Sequence, residues 1–215
     1  MSEHLSVRNS HRRTVDSRSY LVFPNPEHID PYNSFGVTGI SKDKEERVWI
    51  ATYSALFSYD GEVVDIFGHE KLNLEDNEQI HIRSVLADSK GRIWIGNNGI
   101  GVILKSGDST IHFSKEQGKL IPMKEFKSNG QTNKNTGLQS VFAIEEDNEG
   151  NIWFADRDSG VWKYNGESLT NFTIDEKLKS QMIWDIYLDK NKTLLFGMAD
   201  GGVYKFNGMS FDKRF

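Results

Sequence analysis

Cysteine is absent from this 215-residue sequence, which excludes disulfides and thiolate metal centres. Apolar residues never run for the roughly 20 positions that a membrane helix requires. Basic residues are not in excess: 26 stand against 31 acidic ones, a net charge of −5. Nucleic acid is therefore not an expected partner, because its phosphates call for a basic face. Residues 1 to 20 carry Arg8, Arg12, Arg13 and Arg18 among serines but lack the apolar core of a signal peptide. They read as a solvated arm over residues 1–18. Nucleophile-elbow, Walker, dinucleotide-binding and zinc-peptidase motifs are all missing. The six histidines are scattered, so neither a metal nor a cofactor is expected, and the reading is non-catalytic.

What the sequence does contain is a repeat, and its period is of the size that builds propeller blades. The segments Val48-Trp49-Ile50, Ile93-Trp94-Ile95, Ile152-Trp153-Phe154 and Leu194-Leu195-Phe196 share one pattern. Asp43, Asp88, Asp147 and Asp189 each precede the central residue by six positions. A small residue and an aliphatic one follow: Ala55-Leu56, Gly101-Val102, Gly160-Val161 and Gly202-Val203. Gly61, Gly107, Gly166 and Gly208 close the pattern. Alternating Ile, Val, Trp and Phe over short runs favours strands. Asp88-Ser89-Lys90-Gly91 and Asp147-Asn148-Glu149-Gly150 are β-turn sequences, and Asp60-Gly61, Asn165-Gly166 and Asn207-Gly208 are hairpin dipeptides.

Four such strands cannot bury both faces alone, but radially stacked sheets can, with each tryptophan filling the gap between neighbours. The expected fold is an all-β propeller with four antiparallel four-stranded blades, at about residues 36–79, 80–138, 139–181 and 182–215. Within this 19–215 domain, the strand at residues 19–23 either latches a small ring or belongs to a larger one. The Lys-rich connection at residues 114–140 reads as a mobile surface loop.

The motifs DSKGRIWIG (Asp88 to Gly96) and DNEGNIWFA (Asp147 to Ala155) resemble the two-component regulator propeller repeat. Glu46 and Lys192 depart from its turn glycine, and Leu195 departs from its tryptophan. The resemblance implies a periplasmic or extracellular sensing module that presents a ligand-binding propeller to a histidine kinase. A weaker similarity to streptogramin lyase propellers implies a rival reaction, a metal-assisted elimination at a histidine. His69 and His81 are its only candidates on the loop face.

First strands line a propeller's channel, and loops joining second to third strands surround one mouth. This places Asn97, Asn98, Arg157, Asp158, Met198 and Asp200 on that face, with His81, Arg83, Gln139 and Trp184 at the channel. The run Glu75 to Gln79 joins them from the loop between blades one and two. Amide, acid, arginine and aromatic groups suit a carbohydrate or peptide ligand, or a protein partner. Glu145, Asp147, Glu149 and Asp156 mimic a calcium-loop spacing, yet Asp147 to Gly150 is the repeat's own hairpin turn.

Overall fold

The structure, a computed structural model, describes residues 12–14, 36–74, 78–116, 119–122, 138–178 and 180–215. Every regular element among them is a strand. Blade one comprises β2 (Val37–Lys42), β3 (Val48–Thr52), β4 (Leu56–Tyr59) and β5 (Val63–Phe67), with β1 (Arg12–Thr14) added at its outer edge. Blade two comprises β6 (Ile82–Ala87), β7 (Ile93–Asn97), β8 (Gly101–Ser106) and β9 (Ser109–Glu116), with β10 (Lys119–Pro122) outside β9. Blade three runs β11 (Val141–Glu146), β12 (Ile152–Asp156), β13 (Gly160–Tyr164) and β14 (Leu169–Phe172). Blade four runs β15 (Ile183–Leu188), β16 (Leu194–Met198), β17 (Val203–Phe206) and β18 (Phe211–Lys213). The fold is thus a β-propeller of four antiparallel four-stranded blades.

Two segments differ from the sequence reading. Arg12 to Thr14, placed in the solvated arm, pair antiparallel with Val63 to Asp65 and cover the otherwise unpaired edge of blade one. Lys119 to Pro122, placed in a mobile loop, pair with Phe113 to Glu116 and do the same for blade two. Residues 19–23 lie outside the described residues.

Each interface between blades is organised by the repeat's tryptophan. Trp49 packs with Leu56, Phe67, Ile82 and Val85 between blades one and two. Trp94 packs with Val141, Ile144 and Phe154 between blades two and three. Trp153 packs with Ile183, Ile186, Phe196 and Tyr204 between blades three and four. The aspartate six positions earlier binds the indole. Asp43, Asp88 and Asp147 each accept the ring N–H of Trp49, Trp94 and Trp153 at 2.8 Å. The other carboxylate oxygen takes backbone N–H groups of the following turn, from Arg47, Arg92 and Asn151 among others. One carboxylate thus ties hairpin to core, and in Asp147 no calcium geometry is needed to explain its acid.

Two consequences of the repeat's departures are visible. The turn position held by Gly91 and Gly150 has φ of 75° and 79°, and Glu46 and Lys192 keep φ of 63° and 66° there. Those side chains carry a left-handed strain that glycine avoids. At the small position of the second strand, a Cβ on Gly96 would meet Ser84 Oγ at 2.2 Å and the Val141 carbonyl at 2.6 Å. The innermost strand of blade three approaches the backbone too closely for any side chain. Gly197, its counterpart in blade four, has only Asp185 O at 3.8 Å. Leu195 stands where the other blades have tryptophan, and its neighbour Tyr187 is 59% exposed.

Candidate functional site

The propeller repeats every structural position, so the site can be built as two sets of equivalent residues. In each first strand the register with the second slips by one residue: between Val37 and Gly39, Ile82 and Ser84, Val141 and Ala143, and Ile183 and Asp185. A bulge re-aims the skipped side chain away from the pleat. The skipped residues are Thr38, Arg83, Phe142 and Trp184. Trp184 is 49% exposed, although every other first-strand residue in blade four with a large apolar side chain except Tyr187 is at least partly buried.

The second set follows each second strand: Tyr53, Asn98, Arg157 and Ala199. Backbone bonds hold it in place, because the N–H groups of Asn98, Arg157 and Ala199 donate to the carbonyls of His81, Ser140 and Met182 at 2.9 Å. The loop rim is thereby fixed to the start of the innermost strand.

The two sets meet around Arg83. Its guanidinium lies 4.2 Å from the Phe142 ring centroid, 5.3 Å from Tyr53 and 5.6 Å from Trp184. It also donates to the Tyr53 hydroxyl at 3.2 Å. Phe142 and Trp184 pack at 5.5 Å. One cation is therefore held among rings from blades one, three and four, an arrangement that orders its fork without neutralising it. His81 stands edge-on to Tyr53 at 5.0 Å and its Nδ1 lies 3.5 Å from Asn98 Nδ2. Burial pushes the His81 imidazole below its ordinary pKa, and the Arg83 charge pushes it further. Asn98 Oδ1 accepts from Arg157, whose guanidinium forms a two-pronged pair with Asp158, the closest contact being 2.7 Å.

His81, Arg83, Asn98, Arg157, Asp158 and Trp184 are therefore joined in one connected group. Asp200 is exposed in the β16–β17 turn, and no hydrogen bond or ring contact among the described residues joins it to that group. Asn97, placed on the loop from sequence, is instead the last residue of β7 and fully buried. Its amide reaches the Gln79 carbonyl, and it occupies the position where Thr52 and Asp156 build the following turn. Glu75 to Asn77 lie outside the described residues. Tyr53 and Phe142 were missed. Both were available by carrying the spacing of Arg157 and of Arg83 with Trp184 onto the neighbouring blades. No group of three His, Cys, Asp or Glu side chains that could hold a metal is found among the described residues.

The family model for two component regulator propellers matches residues 75–99 and 137–158, which span parts of blades two and three. In those two segments the chain carries the two-component regulator propeller repeat. No curated protein matches this chain. Among solved structures it is similar to a streptogramin B lyase, at 15% identity and a TM-score of 0.63, over 86% of this chain and 56% of that one. It is similar to the virginiamycin B lyase of Staphylococcus aureus at 12% identity and a TM-score of 0.61, over 84% and 55% of the two chains. The extracellular domain of a B. thetaiotaomicron chain described as a hybrid two component system shares 22% identity, with a TM-score of 0.57 over 80% of this chain and 22% of that one. These likenesses are of fold. This chain spans little more than half the length of either lyase.

Proposed function

We propose that this propeller is a non-catalytic recognition module of signal transduction, whose ligand sits at the channel mouth over Arg83. One observation carries the reading: bulged residues of three successive blades, together with Tyr53, gather a cation and three aromatic rings that are far apart in sequence. Rings supply broad contact area at small entropic cost, and an ordered guanidinium supplies direction. A sugar or a peptide side chain can use both. The two-component regulator propeller repeat supports a sensor, and the paired Arg157–Asp158 at the rim offers complementary donors and acceptors. Lyase chemistry would need a histidine served by carboxylates. His81 is instead flanked by Tyr53, Asn98 and Arg83, the last of which disfavours its protonation.

Glycan and peptide arrays followed by calorimetry test the reading. With a ligand in hand, Arg83→Gln should cost about 1.5–3 kcal/mol of binding, the worth of a charge-assisted contact. Lys90→Ala, in an exposed turn between β6 and β7, should change nothing. A ligand whose affinity ignores Arg83, Trp184 and Tyr53 alike would refute the proposal.

A further inference from the structure

A polar cavity lies away from the mouth, in the groove between blades one and two. Its volume is about 710 Å³, and Arg47, Lys71 and Lys105 line it together with Asp65, Glu70 and Asp108. The repeat shows how unusual its cations are. Arg92, at the position of Arg47 in the next blade, turns back onto its own aspartate, with Nε 2.6 Å from Asp88. Arg47 Nε is buried with no hydrogen-bond partner. Lys105 stands where blades one and three have Tyr59 and Tyr164. Those hydroxyls bond the carbonyls of Gly61 and Gly166, and the Lys105 ammonium takes the equivalent carbonyl of Gly107. A neutral cap has become a cation.

The cations crowd one another. Lys71 and Lys105 lie 5.2 and 5.4 Å from the same Phe67 ring centroid. Burial holds the Lys105 ammonium below its ordinary pKa, Arg47 and Lys71 push the same way, and Asp108 and Asp65 do not restore it. Lys71 has a carboxylate at 3.5 Å in Asp65. The three carboxylates of the lining match the three cations in number, yet none of them supplies an acceptor to Arg47 Nε. A carboxylate brings one charge and two oxygens; a phosphate or sulfate brings up to two charges and oxygens in four directions.

We propose that this groove binds a tetrahedral oxyanion, phosphate or sulfate, through Arg47, Lys71 and Lys105. The site is independent of the axial mouth. Inorganic phosphate and sulfate, titrated into the 15N-labelled chain, should give saturable shifts at Lys105 and Thr110 and a saturable rise in Tm. Acetate and chloride at matched ionic strength should not. Arg47→Gln and Lys105→Gln should each weaken binding by roughly tenfold or more, and Arg83→Gln should leave it unchanged. Glucose 6-phosphate with glucose as control separates a free oxyanion from one carried on a sugar, and binding of either form supports the site. The Lys105 ammonium should titrate at higher pH once the anion is bound, a readout independent of whether the variants fold. A response equal to that of chloride, or one indifferent to both Arg47 and Lys105, would overturn the proposal.

Discussion

Removing the Trp94 indole N–H while keeping an aromatic ring isolates the bond that joins turn to core. Trp94 is fully buried, and it packs on Phe113, Phe154 and Tyr164 at 5.6 to 6.2 Å. Its N–H donates at 2.8 Å to Asp88, whose side chain is itself inaccessible. In Trp94→Phe the carboxylate keeps Arg92 Nε and two backbone donors, so it is weakened but not orphaned. The loss is one hydrogen bond to a charged group, about 1.5–3 kcal/mol, plus the missing part of the ring. Trp94→Ala, which leaves a cavity, should cost about 3–5 kcal/mol. In the cycle with Asp88→Asn, the coupling between the two sites should be about 1–2 kcal/mol.

The pH dependence follows the same bond. Burial alone would raise the Asp88 pKa, but the Trp94 indole, the Arg92 backbone and the Arg92 guanidinium together hold it below the ordinary value. A carboxylate depressed in the folded state contributes stability that is complete above its unfolded pKa, near 4. That contribution is lost as pH falls from about 4 through the lower folded value. Asp88→Asn should therefore flatten the acid limb of stability below about pH 4 and lower stability above it. Urea denaturation followed by far-ultraviolet circular dichroism, at pH 7 and pH 3, measures both quantities. Additive single-variant effects, or an acid limb unchanged in Asp88→Asn, would refute the argument.

Two substitutions at equivalent glycines should part company. Gly96→Ala forces a Cβ against Ser84 and the Val141 backbone and should cost about 1–3 kcal/mol, whereas Gly197→Ala should stay within about 0.5 kcal/mol. Thermal melts of the two variants check this, and equal losses would contradict it. Lys192→Gly relieves a positive φ at an exposed position and should raise stability by up to about 1 kcal/mol in the same assay. A loss of stability there would show that the turn is not strained.

The blades were legible because their signals are local and repeated: turn aspartates, hairpin dipeptides and strand alternation each fix a few residues, and four copies fix the register. The burial of Trp49, Trp94 and Trp153 followed from the need to fill space between sheets. The indole–aspartate bond was not legible, since six-residue spacing says nothing of side-chain geometry until the hairpin folds. Short pairings such as β1 on β5 were hidden too, because Arg-Arg-Thr has no strand pattern and gains its order only from an open edge. At the mouth, Arg83 and Trp184 could be found by channel position. Phe142 lies within the apolar run from Val141 to Ile144, and only the bulge distinguishes it from Val141 and Ala143. Asn97 erred in the opposite direction, for a polar residue beside a glycine turn looks solvated yet here is buried at the end of β7, with its amide on the Gln79 carbonyl.

The bulge also separates two kinds of selection within a single strand. Residues on either side of it carry the packing between blades, where a misplaced methyl group is costly. The bulge turns the skipped residue out of the pleat, and in the function proposed above it answers to a ligand more than to its own sheet. Threonine, arginine, phenylalanine and tryptophan occupy this one backbone position in four successive blades. The ring therefore behaves like a short word whose letters can be changed singly while the scaffold is left alone. Duplicating a blade adds a letter, and drift at the bulge rewrites one without reopening the core.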